Sequence, residues 1–368
     1  MENTVQEAID TVLNQTFSDF ELIISDNASD DGTGEICRAA AKRDSRVIYH
    51  RNSNNIVGEN FRLTLLLSRG KYFMWAAADD ARKPKMLKRC VEALDSDPAA
   101  ILAYTHTEIL DPETGARHPY HDPYPLDQKN PADRYESLVR SLNLGNMIYG
   151  LFRRNLLLKL PPLTGKSYNL IAFTDAIFLT NVVLSGKVIQ IPEMLFIRRR
   201  GRSKPWVDSL ALTERVSSPD SDYLSNGVSL PVSESIQEHV RYIMASNLPI
   251  KTKLNLAQIT YEAYVTRFAS NLIFEIDRAV NLAKEGKFME TWNGSPEPHP
   301  DETVQNKIDR VYAGLLLDRL ERTSIFIKNH QGLHIGKAFC LAKMGRTREA
   351  ELQIELANQL SPKNAISK

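Results

Sequence analysis

The sequence has few cysteines, no excess of either charge and no long apolar run. Its three cysteines, Cys37, Cys90 and Cys340, lie far apart with no CxxC pair, which argues against a zinc site and a disulfide framework. Basic residues number 46 against 45 acidic ones, so wholesale nucleic-acid binding is not expected. No stretch of about 18 apolar residues and no signal peptide is present. We therefore expect a cytoplasmic protein, with peripheral contact at the inner face of the membrane as a further option.

The first part of the chain alternates between strand-like and helix-like segments. Apolar runs predict strands, and apolar residues at helical spacing between them predict helices. The predicted strands are Leu22–Ser25, Val47–His50, Lys71–Ala78 and Ala100–Tyr104. Strands that alternate with helices indicate an α/β sheet covered on both faces.

The rest of the chain has a different composition. Residues 1–205 hold the α/β pattern, 206–234 form a linker rich in Ser, Pro, Gly and Asp, and 235–330 are helical. Residues 331–368 resemble a tetratricopeptide hairpin, because small and apolar residues recur there at the spacing of that repeat. A single repeat does not bury its own face, so we expect it to pack on the helices before it.

Two acidic clusters follow predicted strands. Asp26-Asn27 ends the first strand and Asp79-Asp80 ends the third. Because ligands in such sheets sit outside the carboxyl ends of the strands, both clusters are expected to face one crevice. Adjacent carboxylates there cost free energy unless a cation joins them, and a divalent metal bridging to a phosphate is one solution. Taken alone, the pair favours a solvated loop or a helix N-cap, because Asp80 lies four residues before Pro84.

Four segments in register resemble the family-2 glycosyltransferases, which have the GT-A (nucleotide-diphospho-sugar transferase, Rossmann-like) fold. They are Gln15–Thr33, Asn54–Asn60, Arg69–Tyr72 and Ala78–Asp80. The likeness continues more weakly to about residue 200. It implies an inverting transferase that moves a sugar from a nucleotide-diphosphate donor, most commonly a UDP-sugar, to a hydroxyl. The acceptor would be a glycan, a lipid-linked sugar or a protein in polysaccharide, lipopolysaccharide or glycoprotein assembly.

The resemblance implies roles for the two acidic clusters. Asp26 would contact the nucleotide, at its base, with Asn27 beside it. Asp79 and Asp80 would hold a Mg²⁺ or Mn²⁺ on the diphosphate, with Asp80 the more direct ligand. These oxygens are the hard ligands that both metals prefer.

The resemblance also implies the catalytic groups. Asp175 matches the general base that takes the proton of the acceptor hydroxyl, and Arg198 or Arg199 would place positive charge near the diphosphate. Each has an alternative. Asp175 precedes an apolar run and suits a helix cap. The arginines suit a solvated basic face or a site for anionic lipid.

Three departures from the family pattern stand out. The family opens with a hydrophobic strand, whereas here Met1 resembles an internal methionine, so we expect a truncated domain with unpaired neighbouring strands. Ala77 stands at the first acidic position of the metal motif, and Thr174 precedes Asp175 where an acid is common. The alternative hypothesis is therefore a catalytically inactive, truncated GT-A protein that acts as a partner-binding module.

Overall fold

The protein is described here by a computed structural model. It describes residues 1–56, 58–120, 126–141, 146–161, 174–199, 231–264, 334, 337, 338, 340, 341 and 344–359. The chain divides into two compact units, residues 1–168 with 174–203 and residues 169–173 with 204–368. The four-part division predicted from the sequence stays a prediction. Residues 206–230 of its linker and 265–330 of its helical part lie outside the described residues.

The first unit alternates helices and strands as the sequence pattern predicts. Its first half contains α1 (Val5–Leu13), β1 (Leu22–Asp26), α2 (Thr33–Arg43), β2 (Val47–Arg51), α3 (Glu59–Leu67), β3 (Tyr72–Met74), β4 (Ala81–Arg82) and α4 (Met86–Ser96). Its second half contains β5 (Ala100–Leu110), β6 (Arg117–Tyr120), α5 (Pro131–Ser141), a 3₁₀ turn (Met147–Tyr149), β7 (Leu151–Arg153), α6 (Arg154–Leu157), α7 (Thr174–Ser185) and β8 (Lys187–Arg199).

The strands form two separate sheets. β1 and β2 pair in parallel, and the other sheet has the order β3-β7-β5-β8-β4 with β6 paired to β5. β7 runs antiparallel to both of its neighbours, whereas β5 and β8 run parallel. The predicted α/β fold is confirmed, as a mixed rather than a purely parallel sheet.

Helical periodicity explains how the helices of this unit pack. Val5, Ala8, Ile9 and Val12 form the buried stripe of α1, at the i, i+3, i+4, i+7 spacing of one helix face. A hydrophobic core around α4 and β5 contains the fully buried Cys90 and other apolar side chains. These packed layers hold the strand ends in fixed positions.

The third strand is shorter than predicted. It ends at Met74 rather than Ala78, because Trp75 is buried among aromatic rings and its Nε1 donates to the carbonyl of Phe61 at 3.0 Å. Phe73, Phe152 and Phe178 contact the indole edge-on. The chain therefore leaves the sheet at Trp75, and the acidic pair lies in the turn that leads to β4.

The described residues of the second unit are helical. Helices span Pro231–Ala245 and Thr347–Gln359, and residues 250–264 are also helical. His239 and Tyr264 form a buried hydrogen bond of 2.9 Å. The tetratricopeptide likeness of residues 331–368 stays a prediction. Within the described residues, no helix combines the length and the apolarity needed to cross a bilayer.

Candidate active site

The last strand of the unit holds the acidic turn. The main-chain N–H of Arg199 donates to Oδ1 of Asp80 at 2.9 Å. The side-chain Nε of Arg199 donates to the main-chain carbonyl of Asp79 at 3.0 Å. Nη2 of Arg199 also donates to Glu7 of α1 at 2.5 Å. The antiparallel pairing of Ala81 with Ile197 brings these groups together. Arg199 therefore holds the carboxylate of Asp80 and the backbone of Asp79 in place.

Asp80 is a buried acid at this turn. Only 5% of the residue is exposed, and burial raises the pKa of its carboxyl to about 6. The hydrogen bond from Arg199 opposes this shift, the charge of Asp79 adds to it, and the charges of two further arginines, Arg82 and Arg198, oppose it. Asp80 is therefore a desolvated carboxylate whose pKa stays raised although a hydrogen bond and two arginines oppose the shift.

Arg82 is a buried cation that the sequence pattern did not reveal. The residue is 3% exposed, and its Nε and Nη1 have no hydrogen-bond partner in the described part of the chain. Nη2 lies 3.4 Å from the carbonyl of Trp75, and the guanidinium lies over the ring of Phe196. The signal that was available in the sequence is its position two residues after Asp80.

Asp175 lies at the amino end of α7, in the same electrostatic neighbourhood. Desolvation of its carboxyl raises the pKa, while hydrogen bonds from the N–H groups of Ala176 and Asp175 itself, and the charge of Arg198, act in the opposite direction. Tyr149 links the groups further: burial raises its pKa to about 12, and the charges of Asp80 and Asp175 contribute. The acid pair and Asp175 therefore all lie near enough to Tyr149 for their charges to act on its hydroxyl.

Arg198 and Arg199 differ in how many donors they have left. Nη1 of Arg198 donates to Oδ1 of Asn146 at 2.9 Å, and its other guanidinium nitrogens have no hydrogen bond to the described residues. Arg199 uses Nε and Nη2 within the protein. Arg198 is therefore the arginine with more free donors for an added anion.

The Asp26 loop forms a second cluster. The side chain of Asp26 is 0% exposed; its Oδ2 accepts from Tyr49 at 2.7 Å and from Arg51 at 2.6 Å, and its Oδ1 accepts from the N–H of Ser29 at 2.9 Å. Burial alone would raise the pKa of Asp26, but these hydrogen bonds lower it overall. Ala28 has a positive φ of 61°, which L-residues rarely adopt. Asp26 thus holds a strained turn.

Asparagine side chains support this loop. Oδ1 of Asn27 accepts from the N–H of Ile56 at 2.9 Å and from Asn52 at 3.2 Å. Asn60 accepts from the hydroxyl of Ser25 at 2.6 Å and from Asn52 at 3.0 Å, and donates to the carbonyl of Ser25 at 3.0 Å. Asn60 therefore holds the end of β1 in place.

Asn60→Ala is expected to destabilise the protein by about 1–3 kcal/mol, because it leaves the hydroxyl and carbonyl of Ser25 and an amide of Asn52 without this partner. Urea denaturation measures the change. Asn54→Ala is the matched control, because among the described residues that side chain accepts only an exposed hydrogen bond from neighbouring Ser53. Equal stability of the two variants would contradict a structural role of the amide network.

The acid pair fits a divalent cation. Asp79 and Asp80 offer hard carboxylate oxygens, and Oδ2 of Asp80 has no hydrogen-bond partner among the described residues. Burial raises the pKa of Asp80, and a bound cation would stabilise its ionised form. Within the described ranges, no group of three or more His, Cys, Asp or Glu side chains is arranged for a metal. The protein would therefore supply two ligands, and phosphate oxygens and water the others, as Mg²⁺ commonly accepts.

The two clusters are not in direct contact. Within the described residues, no hydrogen bond or ion pair joins Asp26 or Asn27 to the acid pair. Instead Ser25 and Asp79 line one groove between the two sheets. The predicted common crevice thus contains the neighbours of Asp26 rather than its side chain.

Comparisons with known proteins agree with this architecture. S. aureus TarS 1-349, solved in complex with UDP-GlcNAc, is similar with a TM-score of 0.54 and 12% identity, over 97% of this chain and 88% of that chain. The fold is therefore that of the GT-A glycosyltransferases. Residues 2–155, which are 154 of the 368, match the family model described as Glycosyl transferase family 2. The match covers less than half of the chain, and this part is therefore similar to that family.

Two curated relatives each match less than a third of this chain. An uncharacterized glycosyltransferase of Methanocaldococcus jannaschii, MJ1057, is 28% identical over 112 residues, which are 30% of this chain and 39% of that protein. The uncharacterized glycosyltransferase EpsJ of Bacillus subtilis is 29% identical over 102 residues, 28% of this chain and 30% of that protein. The chain therefore spans well under half the length of these relatives.

Proposed function

We propose that the protein is an inverting glycosyltransferase that moves a sugar from a nucleoside-diphosphate donor to a hydroxyl of a glycan, a lipid-linked sugar or a protein. The observation that carries the proposal is that Asp79, Asp80, Asp175 and Arg198 all lie near enough to Tyr149 for their charges to act on its hydroxyl. Three carboxylates and a cation with free donors suit a reaction that removes a proton and releases a diphosphate. UDP is the first nucleotide to test, since S. aureus TarS was solved with UDP-GlcNAc.

Asp175 acts as the general base in this proposal. The acceptor hydroxyl gives its proton to the carboxylate of Asp175 as its oxygen attacks the anomeric carbon. The bond from that carbon to the diphosphate breaks, and its electron pair leaves on the phosphate oxygen. Attack from the face opposite the leaving group inverts the anomeric configuration. The raised pKa of Asp175 makes it a stronger base than an ordinary carboxylate.

The remaining groups hold the leaving diphosphate. Asp79 and Asp80 would bind Mg²⁺ or Mn²⁺, which supplies Lewis-acid stabilisation of negative charge when present. Arg198 donates its free N–H groups to phosphate oxygens. The Nε and Nη2 donors of Arg199 are engaged within the protein, so this arginine orients the acid pair and adds its positive charge to the site.

In this proposal, the loop that Asp26 and Asn27 hold contacts the base of the nucleotide. Because the side chain of Asp26 is buried and already hydrogen-bonded, contact with the base requires the loop to open. The strained backbone at Ala28 supports this idea, since strain of that kind is common at binding sites.

Calorimetric titration of the full chain with UDP, with and without Mn²⁺, tests the proposal. We expect binding that depends on the metal, and turnover of a UDP-sugar then measured as UDP release with and without saccharide acceptors. If neither UDP nor GDP binds in the presence of Mn²⁺, and no nucleotide-sugar is turned over, the proposed function is wrong.

One observation favours the second hypothesis, a non-catalytic partner-binding module. The sheet of the first unit is in two pieces, and a groove lies between them. A non-catalytic protein would still fold around Asp80 but would bind no nucleoside diphosphate. The same titration therefore separates the two functions.

A further inference from the structure

Arg82 is a buried cation that few contacts hold in place. The residue is 3% exposed, and its Nε and Nη1 have no hydrogen-bond partner among the residues that the structure describes. Its hydrogen bond from Nη2 to the carbonyl of Trp75 is long, at 3.4 Å. Because a buried charge without partners is costly, stability does not explain why a guanidinium lies at this position.

Arg134 shows how this chain buries an arginine for structural reasons. Only 4% of that residue is exposed. Its Nε donates to the carbonyl of Val183 at 2.7 Å, and its Nη1 donates to the carbonyls of Gln128 and Lys129 at 2.6 and 3.0 Å. Arg134 thus links α5 to α7 and to the segment before α5. The donors of Arg82 have no comparable set of acceptors within the described ranges.

The pairing of β4 with β8 fixes where the guanidinium of Arg82 lies. Arg82 is opposite Phe196 in the register, and its guanidinium carbon lies 5.4 Å from the centre of the Phe196 ring. The ring of Tyr149 lies 5.5 Å from the same Phe196 ring. The carboxylates of Asp79 and Asp80 both act on the guanidinium through their charge. The charge of Arg82 therefore acts on the acid pair from a buried position.

A fixed positive charge in this position has opposite effects on two kinds of ion. It repels a divalent cation that approaches the acid pair, and it attracts the negative charge of a diphosphate. Both effects are stronger where water is excluded. Since an arginine stays protonated at every physiological pH, the charge is permanent. Arg82 therefore disfavours a metal that arrives alone and favours one that arrives with a diphosphate.

We propose that Arg82 is a positioning residue of the acidic turn, whose buried charge makes the binding of a divalent cation by Asp79 and Asp80 depend on a nucleoside diphosphate. The inference rests on the acid pair as the metal site of the proposed function. It adds a residue that acts on the ligands through the acid pair. The alternative is a purely structural role, in which Arg82 closes the turn through the carbonyl of Trp75.

Calorimetric titration of the full chain with Mn²⁺ alone, at pH 7.5, separates the two roles. Arg82→Met and Arg82→Gln both remove the charge, and glutamine keeps a donor for the carbonyl of Trp75. We expect both variants to bind Mn²⁺ at least ~10-fold more tightly than the unmodified protein, because a repulsive charge is gone. Arg82→Lys keeps the charge and should bind Mn²⁺ as the unmodified protein does. A structural role predicts the opposite sign, since a loosened turn would weaken Mn²⁺ binding in all three variants.

Titration with UDP at saturating Mn²⁺ measures the other half of the coupling. We expect UDP to bind the two neutral variants ~10-fold more weakly, because the attraction between the guanidinium and the diphosphate is lost. Arg134→Met is the matched control. The charge that acts on Arg134 is that of Asp133, so this variant should have a lower Tm but unchanged affinities for Mn²⁺ and UDP.

Two results would overturn the proposal. Equal or weaker binding of Mn²⁺ alone by Arg82→Gln would mean that the charge has no effect on the acid pair or that the role is structural. Unchanged binding of UDP by the neutral variants at saturating Mn²⁺ would mean that Arg82 does not couple the metal to the diphosphate. A gain in Mn²⁺ affinity in a protein that binds neither UDP nor GDP would support the effect of Arg82 on the metal while refuting the proposed function.

Discussion

Asp80→Asn is expected to abolish metal-dependent binding of UDP. The substitution keeps the shape of the side chain and an oxygen that accepts the N–H of Arg199, but removes the negative charge. A metal contributes several kcal/mol to diphosphate stabilisation, so affinity in the presence of Mn²⁺ and turnover should both fall by about 100-fold or more. Calorimetry and the release of UDP from a UDP-sugar measure the two effects.

Asp44→Asn is the control for this experiment. Asp44 is also a largely enclosed carboxylate, paired with Arg46 at the end of α2 and away from the acidic turn. We expect its variant to bind UDP and Mn²⁺ as the unmodified protein does. If Asp80→Asn also binds them without change, Asp80 is not a metal ligand.

The same substitution should stabilise the metal-free protein. The pKa of Asp80 is about 6 when folded, against an ordinary value of 3.8, so the folded state binds the proton more tightly. Stability from this proton is present below about pH 4 and is lost as the pH rises through about 6. At pH 8 the ionised Asp80 therefore opposes folding, by roughly 3 kcal/mol at most. Thermal denaturation without metal should show a higher Tm for Asp80→Asn at pH 8 and little difference at pH 3.5.

Asp175→Asn is expected to lower kcat by about 100- to 10,000-fold, because the variant has no carboxylate to accept the proton of the acceptor hydroxyl. Binding of UDP and Mn²⁺ should be unchanged, since Asp175 is not assigned to the donor. Asparagine caps a helix about as well as aspartate, so the stability of α7 should also be unchanged. Comparison of kcat with the calorimetric affinity separates a catalytic role from a capping role.

The pH dependence of kcat provides a second check on Asp175. Because its pKa is raised, the acid limb of the profile should lie above the ordinary value of 3.8, and kcat should rise with pH as the carboxyl ionises. That limb should be missing from the residual activity of Asp175→Asn. If Asp175→Asn keeps the wild-type kcat and the wild-type pH profile, Asp175 has only the role of a helix cap.

Local patterns predicted the helices and strands of the first unit well, because each pattern has its own period. α1 shows the full apolar stripe, and β1, β2 and β5 begin at the predicted residues. The third strand was predicted too long because Trp75 belongs to an aromatic cluster formed with distant rings. The antiparallel β7 was not predicted, since three residues carry too little periodicity.

The candidate site was predicted in part. The resemblance to a known family drew attention to Asp80 and Asp175, and the charges of both act on the hydroxyl of Tyr149. Sequence reasoning missed Arg82, whose importance comes from burial, and the contact of Arg199 with Glu7, whose partners are far apart in sequence. Burial and long-range pairing depend on the tertiary fold, so a local pattern does not carry them.

The hydrogen bond between Arg199 and Asp80 spans 119 residues of sequence, which has a consequence for biosynthesis. A ribosome makes a chain from its amino end, and early segments begin to fold before late ones exist. Until residue 199 has emerged, the acidic turn lacks both the backbone donor and the guanidinium that hold it. The nascent chain can therefore build α1, β1 and β2 early, but it acquires an ordered acidic turn only when this unit is almost complete.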